Sequence, residues 1–203
     1  MVFPSRRSFA VTRICLIDAH PDAADHLCHA LADAYEQGAR KAGHDIERID
    51  LAQLEFGFLE KVSDFEIAPP EPVLSEREKI ARADHVCLVF PLWLGNMPAR
   101  AKAFLELAAC GNFFLAAANS SRNWPKQMMK GKSARTIITM GMPGPVYSLV
   151  FDAGALKALE RGLFGISGFK PVRHTILGGV EQAGDEARQK WFRKIDLLGQ
   201  RAE

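Results

Sequence analysis

The chain has 203 residues, of which 48% are hydrophobic and 25% charged; these ordinary globular values exclude a disordered, collagenous or coiled-coil chain. Its 26 Lys and Arg against 24 Asp and Glu leave a net charge of +2, too weak a field to make nucleic acid an expected partner. A chain of this size buries about 70% of its extended surface on folding, so one core suffices without a disulfide or structural metal.

The cysteines Cys15, Cys28, Cys87 and Cys110 show neither CxxC spacing nor histidines at zinc-ligand intervals, so no metal is expected. Ser5-Arg6-Arg7-Ser8-Phe9 starts like an export signal, but the next apolar run is only Ile14 to Ile17, too short for a hydrophobic signal core. No stretch reaches the ~18 apolar residues of a membrane span. The expectation is a cytoplasmic protein without membrane insertion, with residues 1–11 a flexible tail and residues 12–203 a single domain.

Residues 13–19, Arg-Ile-Cys-Leu-Ile-Asp-Ala, are continuously apolar at their centre and predict a central strand buried on both faces. Leu27, Leu31, Ala34, Tyr35 and Gly38 recur at helical spacing, and Gly43 stops that helix. Residues 44–51 alternate polar and apolar, as an edge strand does. Residues 52–74, with Pro69, Pro70 and Pro72, read as a surface connection, and Ser75 as the cap of a helix reaching Ala83. Residues 84–90 form the next buried strand. Pro98 suits a first helical position, with Ala101, Phe104, Leu105 and Ala108 on one face before Gly111. Residues 112–131 read as irregular, residues 134–140 as a strand, and residues 141–145 as a Gly and Pro loop. Leu156, Leu159, Leu163 and Phe164 share one helix face, residues 170–177 make the last strand, and Ala187, Trp191, Ile195 and Leu198 mark the last helix. Five strands alternating with five helices predict an α/β domain with a parallel sheet.

In such a sheet ligands bind where strand carboxyl ends meet loops, which selects residues 20–28, 91–98 and 139–147. The first loop sets His20, Asp22, Asp25 and His26 before a helix whose amino end favours an anion such as phosphate. The chain has no GxGxxG and no Walker A glycine cradle there. The second loop, Phe90-Pro91-Leu92-Trp93-Leu94-Gly95-Asn96-Met97-Pro98, combines a tryptophan with free backbone amides and suits a flat aromatic ligand such as an isoalloxazine. The third, Thr139-Met140-Gly141-Met142-Pro143-Gly144-Pro145-Val146-Tyr147, adds small residues and one phenol.

Ala19-His20-Pro21 with the following helix, Ala83-Asp84-His85 leading to Phe90-Pro91-Leu92-Trp93 and Pro98-Ala99, Thr139-Met140-Gly141, and Gly168-Phe169 with Val172 and His174 together resemble the flavodoxin-like NAD(P)H:quinone oxidoreductases. The resemblance spans about residues 12 to 200. It implies a flavodoxin-like three-layer sandwich with a five-stranded parallel sheet in the order 2-1-3-4-5 and helices on both faces. It also implies a homodimer with the site at its interface, and FAD, or alternatively FMN, as the cofactor. His20, His26, Leu27 and Cys28 would meet the flavin phosphates and ribityl chain. Pro91, Leu92, Trp93, Leu94 and Gly95 would hold the ring, and Thr139, Met140, Gly141 and Met142 its other edge. His26-Leu27-Cys28 stands where the family commonly has Ser-Phe-Asn. Tyr147 matches a tyrosine that accommodates charge on the reduced ring, whereas Asp152-Ala153-Gly154-Ala155 replaces the usual histidine.

The implied reaction is a ping-pong hydride transfer from NAD(P)H through flavin N5 to a quinone-like acceptor, in a pocket walled by Trp93, Phe113 and Tyr147. The alternative is a flavodoxin-like regulatory or interaction protein whose flavin site has weakened.

Overall fold

A computed structural model describes residues 11–116 and 124–203. The tail expected over residues 1–11 lies outside the described residues except for Val11, which is exposed. Five strands, β1 (Arg13–Asp18), β2 (Asp45–Asp50), β3 (His85–Pro91), β6 (Ser133–Met140) and β7 (Val172–Gly178), pair in parallel in the order β2-β1-β3-β6-β7. Counting only these strands, this is the expected 2-1-3-4-5 arrangement. A two-stranded antiparallel hairpin, β4 (Leu115–Ala116) with β5 (Lys126–Gln127), stands apart from it and corrects the irregular reading of residues 112–131.

The sheet buries both faces, which is why its central strands are unbroken apolar runs rather than alternating ones. Along β1, Ile14 and Leu16 enter one core while Cys15 and Ile17 enter the other. The first core is covered by α1 (Leu27–Lys41) and α6 (Asp185–Gln200), through residues such as Leu31, Tyr35 and Ile195. The second is covered by α2 (Val73–Arg82), α3 (Ala99–Ala109), α4 (Gly144–Leu149) and α5 (Gly154–Leu159). The helices α1 and α6 cross at two glycines. A Cβ on Gly38 would lie 2.0 Å from the Asp196 carbonyl oxygen, and one on Gly199 2.1 Å from that of Tyr35.

Three expected boundaries change. The helix α2 begins at Val73 behind Pro72 rather than being capped by Ser75, whose hydroxyl instead donates to Glu71 at 2.5 Å. Pro98 precedes the first helical residue of α3 as its N-cap. The single helix expected after residue 145 is divided into α4 and α5, because Asp152 and Ala153 take left-handed φ values of 53° and 48°, and it continues as a π-helical stretch, Glu160–Gly165. The connection over residues 52–74 carries a short 3-10 turn, Val62–Glu66.

In-register pairing sets Asp18 beside Val89 and Pro91 beside Thr139. The loops after β1, β3 and β6 therefore leave the sheet side by side at its carboxyl edge.

Candidate functional site

The first loop is pinned at its base by the Ala19 amide, which donates to the Val89 carbonyl at 2.8 Å. His20, only 6% exposed, follows the strand, and its ring stacks on that of His26 at 3.8 Å between centroids. His20 Nδ1 lies 3.1 Å from the Asp22 carbonyl oxygen and 3.2 Å from the Asp22 amide nitrogen. His26 Nε2 reaches the Asp22 carboxylate at 2.7 Å.

His29, in the first turn of α1, closes the cluster. Its Nδ1 lies 2.6 Å from Asp18 Oδ2 and its Nε2 2.8 Å from the Asp22 carbonyl oxygen. Arg48 donates to the same Asp18 oxygen at 2.7 Å and also pairs with Asp33 and Asp50. Burial lowers the His20 pKa, with the neighbouring His26 and His29 acting in the same direction. For His29, burial also opposes the charge, but the bonds to Asp18 and the Asp22 carbonyl outweigh it and the pKa rises. Asp22 is held below the usual carboxylate range by His26 and the Ala24 amide.

The second loop is a tight turn in which Trp93 and Asn96 exchange backbone hydrogen bonds of 2.8 and 2.9 Å. Leu94 and Gly95 at its tip have φ of 47° and 79°, a left-handed pair that is unstrained for glycine but costs a leucine about 1 kcal/mol or more. The Leu94 side chain lies wholly in solvent and Trp93 is 48% exposed, the indole and the His20 ring meeting in a T-shaped contact at 5.8 Å. Leu92 ties this loop to the third by donating its amide to the Thr139 carbonyl at 2.7 Å.

In the third loop, Thr139 and Met140 are buried, and the Thr139 hydroxyl meets Cys28 Sγ in the first turn of α1 at 3.3 Å. Burial pushes that thiol up to about 12 despite the bond. Met142 O accepts the Gly179 amide at 3.0 Å, and Gly141 faces Glu181 so closely that a Cβ would lie 3.1 Å from the carboxylate.

His20, His26, Leu27 and Cys28, Pro91 through Gly95, and Thr139 through Met142 thus sit on three adjoining loops and the element ends that flank them. Two residues expected with them do not. Tyr147 is 1% exposed, and its hydroxyl accepts the Leu156 amide at 3.3 Å, because the break before α5 turns that helix's start onto the phenol. Phe113 lies beyond the far end of α3, a helix about 16 Å long, with the Arg77 guanidinium 4.9 Å over its ring and Phe114 packed against it. Within this chain neither one walls a pocket with Trp93.

Sequence reading missed Asp18, His29, Arg48 and Arg188. Only His29, three residues after His26 on a helix, carried a local signal. His26 and His29, together with Asp25, Asp33, Arg188 and Phe192, line a groove of about 350 Å³ between α1 and α6.

The donor set of the first loop fits a phosphate-bearing ligand. The Leu27, Cys28 and His29 amides, as the first of a helix, lack intrahelical acceptors, and the α1 amino end has no side-chain cap and no acidic residue in its first turn to occupy them. The second loop supplies the exposed indole on which a planar ring can lie. Among the described residues no group of three or more His, Cys, Asp or Glu is placed to hold a metal ion, and no helix is long and apolar enough to cross a membrane.

These features define a doubly wound α/β domain with a candidate ligand site over the carboxyl ends of β1, β3 and β6. The chain belongs to the Flavodoxin_2 family, described as having a flavodoxin-like fold, whose model matches residues 12–196. It is 26% identical over 193 residues to an uncharacterized NAD(P)H oxidoreductase of Haemophilus influenzae, covering 93% of each chain. The solved structure of an NAD(P)H:quinone oxidoreductase from Methanothermobacter marburgensis superposes with a TM-score of 0.77 at 22% identity, over 94% of this chain and 96% of that one. An FMN-dependent NADH-azoreductase of Bacillus anthracis, in complex with FMN, gives 0.74 at 16% identity, over 94% and 99%.

Proposed function

We propose that this chain is a flavin-dependent NAD(P)H oxidoreductase that reduces a quinone or a similar electrophile. The observation that carries the reading is the pairing, on adjoining loops, of an uncapped helix amino end fit for phosphate with the half-exposed Trp93 shelf. The names borne by the Haemophilus and Methanothermobacter relatives support the same reading.

A bound flavin would supply the two-electron chemistry, taking hydride at N5 and passing it on. The chain's own residues bind and orient. The Leu27, Cys28 and His29 amides, with His20 and His26 beside them, would hold the phosphate end. Pro91 through Gly95 would offer backbone groups and the Trp93 indole to the ring, and Thr139 through Met142 would lie toward its other side.

The groove running on from His26 past Arg188 and Phe192 gives room beyond the phosphate end, which favours FAD over FMN. A homodimer is part of the proposal. Leu149, Val150 and Phe151 are 84%, 72% and 54% exposed, a run of apolar side chains that a lone soluble domain rarely displays.

Purified protein is expected to keep visible flavin absorbance through desalting. Anaerobic NAD(P)H should bleach it and a quinone restore it, with parallel initial-rate lines marking donor and acceptor as alternating occupants. Chromatography of the released flavin distinguishes FAD from FMN. Protein saturated with flavin that never oxidises NAD(P)H in the presence of a quinone overturns the proposal.

A further inference from the structure

Both ring nitrogens of His29 face oxygen atoms that, with Asp18 ionised, can only accept hydrogen bonds. Nδ1 is 2.6 Å from Asp18 Oδ2, the same oxygen that accepts a hydrogen bond from the Arg48 guanidinium at 2.7 Å. Nε2 is 2.8 Å from the Asp22 backbone carbonyl. A neutral imidazole carries one N–H donor and one lone pair, so it satisfies only one of these contacts, whereas an imidazolium satisfies both. The two partners are not equivalent in position. Asp18 ends a central strand, is 1% exposed and is fixed by the sheet. Asp22 belongs to the loop, where it also anchors His20 and His26.

We propose that His29 is held as an imidazolium and is the positioning residue that latches the 19–26 loop to β1, so that the loop's readiness for an anionic ligand depends on the second proton of His29. When that proton leaves to solvent, the remaining one stays on Nδ1 opposite the carboxylate, where the bond is charge-assisted. The Nε2 lone pair then points at the Asp22 carbonyl and repels it. The Asp22 segment comes away, and with it the support of the stacked His20 and His26 rings.

The charged and titratable groups around His29 are consistent with one extra cation here. Asp18 on β1 is shared with Arg48 on β2. His20, Asp22, Asp25 and His26 belong to the loop, Asp33 lies one turn on along α1, and Arg188 comes from α6 across the groove. Arg48 and Arg188 act against the His29 charge, while Asp18, Asp22, Asp25 and Asp33 favour it.

The proposal rests on the flavin reading only for the identity of the anion, and the test separates the two. Histidine side-chain ¹⁵N resonances of the whole labelled protein are followed as pH is raised from about 6 to 9, the range bracketing an ordinary or raised imidazole pKa. Both His29 nitrogens are expected to show protonated shifts at neutral pH, and the Asp22, Ala23 and Ala24 amides to move with the His29 midpoint. A neutral His29 at pH 7, or loop amides indifferent to its titration, overturns the proposal. The dissociation constant of FMN, read by flavin fluorescence, is expected to weaken about tenfold or more across the same midpoint, as for loss of a hydrogen bond to a charged group. In His29→Gln that pH dependence should vanish, and wild-type FMN affinity flat across the His29 midpoint counts against the latch. If neither FAD nor FMN binds at any pH, the flavin reading falls while the resonances still decide the state of the latch.

Discussion

His85 offers a stringent test of the interior. It is 2% exposed at the start of β3, with Nδ1 2.7 Å from the Ser133 hydroxyl and a buried Nε2 that has no hydrogen-bond partner. Burial, reinforced by the charges of Arg135 and Arg173 and by His44, drives its pKa from 6.5 to about 3. The unfolded chain protonates this imidazole below about pH 6.5 whereas the native state does not, so the unfolded state binds the extra proton and stability falls as pH falls.

Between pH ~7.5 and ~4.5 one such proton destabilises the fold by about 2–3 kcal/mol, because each unit of pH adds a little over ~1 kcal/mol once the unfolded imidazole is titrating fully. His85→Phe keeps an aromatic ring beside Tyr35, whose ring is stacked 6.4 Å away, and removes the titration. It also removes the Ser133 bond, a loss that shifts stability by the same amount at every pH. Urea unfolding followed by tryptophan fluorescence at the two pH values gives the comparison. The variant is expected to lose about 2–3 kcal/mol less than wild type on acidification. Carboxylates and His29 titrate alike in both proteins and cancel in the difference. Parallel losses in the two proteins would refute the reasoning.

Gly38→Ala should force α1 and α6 apart by about 1 Å, since its Cβ would start 2.0 Å from the Asp196 carbonyl oxygen. Overpacking of about 1–3 kcal/mol lowers the melting temperature by several degrees; an unchanged or raised value contradicts the close crossing. All four cysteines are free and buried, and burial raises their pKa values, that of Cys28 to about 12. Iodoacetamide at about pH 8 should therefore label none of them in the native protein and all of them after unfolding, as counted by mass spectrometry. Leu149→Asp combined with Phe151→Asp should halve the mass measured by light scattering while leaving far-ultraviolet circular dichroism unchanged. A wild-type protein that is already monomeric removes the dimer from the proposed function.

The strands β1, β3 and β6 were legible because burial on both faces demands unbroken apolar runs, and Ile14 to Ile17 or Val86 to Phe90 have no other use. The three loops followed, since a parallel sheet places its ligands at one edge whatever the details of the connections. The Trp93 turn and the His26 start of α1 were within reach for the same reason: the signals that produce them lie within a few residues of one another.

Other features are set by approaches between distant parts of the chain. Tyr147 looks like a cleft residue until the left-handed Asp152 and Ala153 bring the Leu156 amide onto its hydroxyl. Phe113 follows a helix whose length carries it away from the loop at the helix's other end. His29, Asp18 and Arg48 converge only because β2 pairs with β1 so that Arg48 lies beside Leu16, two residues before Asp18. Local pattern determines which segments are buried and where the chain turns, because those depend on short-range sterics and on the sidedness of apolar residues. Which polar atoms end up within about 3 Å of one another, and so what is protonated and what is held, depends on long-range registry that only the packed tertiary structure decides.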